Sequence, residues 1–260
     1  MGVPYTLHCR MDSGEGPITI VLLHGIASTG SVWQHIGKYF QGQPVRVIEL
    51  DLLGFGGSPK PTARWVKYNV EDHAKAIIWT LTKLGVDASD QVRLVGHSMG
   101  GLVAIGVATL RPKLVDELIL YEPPFYLGIP ADSPFTHRLK TYLKLYNAMI
   151  GRGGSFIRRA SVPLNTIAPL TGFTLKKDNW VPFQRSMYHI VLGFDAIAAL
   201  KALQTPTKIL YGRYDSFVFD DAANTFFGHK AKHVAVTELP TTHILTPHAS
   251  KVLAEEILKK

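Results

Sequence analysis

The hexapeptide Gly96-His97-Ser98-Met99-Gly100-Gly101 lies between the apolar run VRLV and the helix-like stretch LVAIGVATL. A plain turn needs one glycine or none, so three around one serine restrict what this chain can fold into. A sharp strand-to-helix turn accounts for them. Such a turn presents one side chain above the carboxyl edge of a sheet, and side chains two residues to either side would collide. Gly96 and Gly100 remove those side chains, while Gly101 lets the helix pack closely on the sheet. Ser98 is then exposed on a rigid support, and with a base beside it its hydroxyl can act as a nucleophile. The same turn aims the Met99 N–H, at a helix N-terminus, to where an oxyanion would form.

The rest of the chain supplies a sheet for this turn. ITIVLLHG (18–25), VRVIELDL (45–52), VRLVGHS (92–98) and ELILYEPP (117–124) read as buried strands. Between them SVWQHIGKYF (31–40), EDHAKAIIWTLTKLG (71–85) and MGGLVAIGVATLRP (99–112) read as helices, the first capped by Ser31 or Thr29. This alternation predicts right-handed crossovers and a mainly parallel sheet with helices on both faces. The rhythm breaks over 126–204, where helical stretches occur without a convincing core strand. It resumes with TKILYGRYD (207–215), a helix near 220–228, KHVAVTELP (232–240) and an amphipathic closing helix. With 17 residues ahead of the strand at 18, there is room for about one more strand, formed by YTLHC. The expected sheet therefore has about seven to eight strands, in an α/β core of residues 1–125 and 205–260.

Two further loops join the elbow: LLHGIAS after an early strand, and DLLGFGGS one strand later. Together with G-x-S-x-G in its strand-to-helix context, they make nearly the whole chain resemble the α/β-hydrolase fold family. The resemblance implies a serine esterase or lipase-like member in which the acid and the histidine follow Ser98 in that order. The acid is expected at the turn RYDS, as Asp215. Asp220 and Asp221 read as caps of the next helix, and Glu122 is the rival, since some relatives carry the acid at that strand end. The base is expected in LPTTHILTP, as His243. His248 sits where Pro247 already starts the last helix, and His97 reads as packing.

What the resemblance implies chemically is attack by Ser98 on an acyl carbonyl, with His243 taking its proton and Asp215 holding the imidazole tautomer. Backbone N–H groups of Met99 and Ile26 would hold the oxyanion, and His24 would brace the Ile26 loop. Residues 126–204 correspond to the helical cap that roofs the site. That segment carries ten basic residues against three acidic ones, mostly a solvated face, although a cation there could meet an anionic substrate group. Expected substrate contacts are His24, Phe125, Trp180 and Arg185. The resemblance favours small carboxylic esters. Alternatives on the same scaffold are a carbon–carbon bond hydrolase of aromatic ring-cleavage products and a ligand receptor. Against the carbon–carbon reading, ILTP follows His243 in place of the usual aromatic and polar residues.

Other chemistries find little support. The net charge of +8 in 260 residues is spread rather than focused, which argues against nucleic acid. Cys9 is the sole cysteine, so no disulfide framework exists. Gly2 and Thr6 match a myristoylation pattern, but Pro4 and YTLHC favour a strand. No secretory signal or membrane span is visible, and a cytoplasmic monomer or homodimer acting on a small-molecule ester is expected. His229 and His233 have helical spacing, yet lack the Glu of a zinc motif. Gly54, Gly56 and Gly57 resemble a dinucleotide loop, but the third glycine falls at Pro59 and no helix opens there. No cofactor or metal is expected. Serine at the elbow disfavours the relatives with an aspartate nucleophile, among them haloalkane dehalogenases and epoxide hydrolases.

Overall fold

A computed structural model describes residues 5–127, 174–215 and 232–259, together with Lys140 and Lys144. Seven strands form one sheet: β1 (Cys9–Ser13), β2 (Ile18–Leu23), β3 (Val45–Leu50), β4 (Gln91–His97), β5 (Glu117–Tyr121), β6 (Thr207–Gly212) and β7 (Val234–Leu239). Their order across the sheet is β1-β3-β2-β4-β5-β6-β7, and only β1 runs antiparallel to its neighbour. β2 pairs with β3 on one side and β4 on the other, Ile18 lying opposite both Val45 and Gln91. Successive crossovers therefore leave β2 in opposite directions. The crevice at the carboxyl ends beside such a reversal is where open α/β sheets place their ligands.

Runs such as ITIVLL, buried along both faces, follow from helices covering each side of a parallel sheet. On one side Val21, Leu23, Leu50, Leu94 and Leu120 pack in a cluster with α1 (Val70–Lys83) and α2 (Met99–Leu110). On the other Ile20, Leu22, Val47, Val95 and Ile119 join Trp33, Leu253 and Ile257, the last two from the closing helix. Asn69 caps α1 by accepting from the Asp72 N–H. Over residues 174–204, α3 (Trp180–Ser186) runs into a π-helical turn (Met187–Val191) and is followed by α4 (Ala196–Ala202). The closing helix, α5 (Pro247–Leu258), has Pro247 in its first turn and Thr246 as its cap.

Two expected elements differ. The helix over 31–40 is instead a pair of 3₁₀ turns, Gly30–Trp33 and Gly37–Tyr39, closed by i to i+3 bonds such as Gln34 N–H to Ser31 O at 3.1 Å. Aromatic and β-branched residues beside Gly37 give little helix propensity to hold a longer element. YTLHC contributes only its last residue to β1. Leu7 N–H donates to the Thr80 hydroxyl and His8 N–H to that of Ser58, so these amides are engaged by other elements rather than by a strand. Most of 126–204 and the helix near 220–228 fall outside the described residues.

Candidate active site

Ser98 sits between β4 and α2 with φ 53° and ψ −124°, a left-handed conformation costly for a residue with a side chain. Its N–H donates to Tyr121 O at 2.9 Å, and its carbonyl accepts from Gly101 N–H at 2.9 Å. The flanking glycines are forced by backbone contacts. A Cβ at Gly96 would lie 2.5 Å from Gly101 Cα, and one at Gly100 would lie 2.6 Å from the His24 carbonyl oxygen. Gly101 is less confined, 3.3 Å from Gly96 O.

The loop after β2 comes up against the serine: a Cβ at Gly25 would stand 3.1 Å from Ser98 Cβ. Ile26 follows in that loop, and Ala27 adopts φ 52°. His24, fully buried, fixes the loop through both ring nitrogens. Leu52 N–H donates to Nε2 at 2.9 Å, which leaves the proton on Nδ1 to donate to Gly25 O at 2.7 Å. Burial pushes its pKa down to about 4, against the pull of the Gly25 carbonyl and Asp51. Asp51, buried at the end of β3, accepts from Gly30 N–H at 2.7 Å, Gly57 N–H at 2.8 Å and His8 Nδ1 at 2.8 Å. Desolvation would raise its pKa, but these donors outweigh it and hold the carboxyl below its usual value. The glycines of DLLGFGGS thus fold round a carboxylate of the protein itself, with Asp51 oxygens occupying the space a Cβ on Gly56 would need.

Asp215 and His243 come together on the loops after β6 and β7. His243 Nδ1 donates to Asp215 Oδ2 at 2.6 Å; the Asp215 side chain is 1% exposed and that of His243 22%. The two loops are joined by backbone bonds, Arg213 N–H to Leu239 O at 2.8 Å and Tyr214 N–H to Thr241 O at 3.0 Å. Beyond them Tyr121 Oη donates to Thr242 O at 2.7 Å, and His97 Nε2 lies 2.9 Å from His243 O. Glu122 is also close: fully buried, with φ 53°, it accepts from Gly212 N–H through Oε1 at 2.6 Å. Ligand-type atoms of Glu122, Asp215 and His243 lie within 4.8 Å of one another. Because His243 and Asp215 are hydrogen-bonded to each other, this cluster is built to hold a proton more than a metal ion.

The remaining sequence candidates divide. Phe125 and Trp180 are buried in the same apolar cluster as Met99 and Leu102, with Trp180 packed on Phe183 at 5.6 Å between ring centres. Arg185 Nη1 donates to the carbonyls of Ala63 and Val66, so it braces α3 against the loop before α1. His24, with both nitrogens engaged in loop bonds, is likewise a brace. His248 lies exposed at the start of α5, and His233 Nε2 contacts Leu200 O at 3.2 Å. Asp220, Asp221 and His229 lie outside the described residues. His97 and Tyr121, whose links to the His243 loop were not foreseen, left no sequence signal beyond their place at strand ends.

Comparisons with known proteins agree with this fold. The probable lysophospholipase BODYGUARD 4 of Arabidopsis thaliana is 32% identical over 108 residues, 41% of this chain. The chain spans only 25% of that relative's length. A 2-hydroxy-6-oxononadienedioate/2-hydroxy-6-oxononatrienedioate hydrolase of Pseudomonas putida is 26% identical over 226 residues, covering 81% of this chain and 76% of the relative. Among solved structures, a lipase-esterase related protein from Clostridium acetobutylicum has the same fold, with a TM-score of 0.68 at 21% identity, over 97% of this chain and 98% of the other. The family model described as alpha/beta hydrolase fold matches residues 18–243, from the first residue of β2 to the imidazole paired with Asp215. The chain belongs to the alpha/beta hydrolase fold family.

Proposed function

We propose that this hydrolase is a serine esterase that cleaves small carboxylic esters through an acyl-enzyme intermediate. Ser98 is the nucleophile, His243 the base and Asp215 the acid. The observation that carries the reading is the 2.6 Å bond from His243 Nδ1 to Asp215 Oδ2. It fixes the neutral imidazole with its hydrogen on Nδ1 and its lone pair on Nε2, the tautomer needed to take a hydroxyl proton. Ser98 attacks the ester carbonyl as its proton passes to Nε2, and Asp215 stabilises the imidazolium that results. The Ile26 and Met99 N–H groups hold the oxyanion. Losing one such donor costs about 100- to 1000-fold in rate. The imidazolium protonates the departing alkoxide, and water then repeats the cycle on the acyl-enzyme. Residues 126–204 form the cap in this reading and shape the acyl pocket.

A second reading is carbon–carbon bond hydrolysis, favoured by a relative of that activity aligned along 81% of the chain. A series of p-nitrophenyl esters of rising chain length, set against a dienoate ring-cleavage product in stopped flow, separates the two. Ester turnover above roughly 1 per second is expected. An organophosphonate should label the peptide carrying Ser98, and Ser98→Ala should abolish both turnover and labelling. Parent-level turnover in Ser98→Ala would overturn the proposal.

A further inference from the structure

His97 occupies the variable position of the elbow, and no step of ester hydrolysis uses it. Its ring is nonetheless buried among three others, with centres 6.3 Å from Trp33, 5.6 Å from Tyr121 and 4.9 Å from His243. Nε2 lies 2.9 Å from the His243 carbonyl oxygen. A carbonyl only accepts, so Nε2 carries the hydrogen and Nδ1 is left as an acceptor. Nδ1 is sealed from solvent and has no hydrogen-bond partner among the described residues. It points at the Gly25 loop, where an added Cβ would stand 3.4 Å away. Burial first, and the neighbouring His243 second, push the pKa of His97 down to about 3. The ring is neutral with a single donor, and that donor is spent on the backbone of the proposed base.

We propose that His97 is a positioning residue for His243: its Nε2–H grips the His243 carbonyl while its ring backs the His243 imidazole, fixing the base relative to Ser98. Between Leu239 and Pro247 the chain has no strand or helix of its own, so hydrogen bonds from elsewhere must fix its backbone. Three successive carbonyls are held in this way: Thr241 by Tyr214 N–H, Thr242 by the Tyr121 hydroxyl and His243 by His97. The last of these joins the backbone of the base to the residue covalently next to the nucleophile. A neutral ring also places no second cation beside the imidazolium that forms during attack.

This inference rests on the roles proposed for Ser98 and His243, and its test separates the two claims. His97→Leu, His97→Gln and His97→Asn are compared with the parent and with Ser98→Ala on p-nitrophenyl butyrate, with melting temperatures measured alongside. A glutamine amide nitrogen reaches the place of Nε2, an asparagine falls one atom short, and leucine fills the volume without a donor. His97→Leu and His97→Asn are expected to lower kcat by about 10- to 100-fold, the scale of a catalytic group displaced by around 1 Å, with KM within about twofold. His97→Gln should keep at least about a third of the parent kcat, and phosphonate labelling rates should follow the same order. Should the leucine variant fail to fold, the glutamine and asparagine pair decides. Parent-level kcat in His97→Leu or His97→Asn, or equal losses in all three variants, would overturn the inference. If Ser98→Ala is inactive and His97→Leu matches the parent, only the positioning role falls. If Ser98→Ala stays active, the serine mechanism falls with it.

Discussion

The two ends of the parallel strands handle backbone strain differently. Near the amino ends of β2, β3 and β4, left-handed backbone falls on Gly14, Gly42 and Gly85, with φ between 74° and 77°, where glycine adopts it freely. At the carboxyl ends of β2, β4 and β5 it falls on Ala27, Ser98 and Glu122, each with a side chain that makes the conformation costly, while the loop after β3 uses Gly54 and Gly56. Charge is distributed the same way. Near the amino ends, Glu117 meets Arg93 at 3.1 Å and Lys208 at 2.8 Å with some access to solvent. At the carboxyl ends His24, Asp51, His97 and Glu122 are buried, and each is bonded to backbone of a neighbouring loop or strand end. Glycine is used where only a turn is needed; strain is borne where a side chain has to stand in one place.

The sharpest break of this contrast comes from the acid. Asp215→Asn should lower kcat on p-nitrophenyl butyrate by about 1000- to 10,000-fold with the fold intact, because the amide favours the wrong imidazole tautomer. A loss under tenfold would transfer the acid role to Glu122.

Next in size, Gly100→Ala should cost about 3 kcal/mol in urea unfolding, since carbonyl oxygens of Leu23 and His24 occupy the space of its Cβ. Gly42→Ala, at φ 74° with nothing within 4 Å, should cost only about 1 kcal/mol. Equal costs would remove the distinction between the two ends.

Acid should then weaken the fold through three buried histidines, His24 and His97 at the carboxyl ends and His73 in α1. His24, His73 and His97 have pKa values pushed by burial to about 4, 3 and 3. Each takes up a proton on unfolding as the pH falls below about 6.5, so the unfolded chain gains protons that the folded one refuses. Stability should fall from pH 7 to pH 4 by roughly 2 kcal/mol or more, read as a drop in melting temperature. Glu49 opposes this: burial raises its pKa to about 7, so the folded state retains a proton that the unfolded chain loses above about 4.5, and stability from this group grows on acidification. His73→Leu should flatten the acid slope. Smallest of all, Glu117→Ala should change stability by less than about 1 kcal/mol, as expected for partly solvated ion pairs.

The elbow was readable in the sequence because contacts between nearby backbone atoms dictate its glycines, and such local demands leave a mark on residue type. Asp215 and His243 were readable as strand-end residues in the expected order. Harder to read were roles set across long stretches of chain. Arg185 meets carbonyls more than a hundred residues away, and nothing near it distinguishes a brace from a ligand for an anion. His97 in GHSMGG looks like filler until the His243 loop is folded over it. The 3₁₀ turns at Gly30–Trp33 and Gly37–Tyr39 share apolar spacing with an α-helix, and spacing cannot show which hydrogen bonds close. YTLHC has strand-like composition, yet its first amides bond to side chains.

Two residues, Ile244 and Leu245, separate His243 from Thr246, the cap of α5. Leu253, Ala254 and Ile257 of that helix are embedded in the apolar layer behind the sheet, opposite α1 and α2. The imidazole is therefore moored on a short rope whose anchor is sunk in the far side of the molecule. Cutting the chain just after Thr246 should abolish the proposed ester hydrolysis while sparing every atom of Ser98, Asp215 and His243.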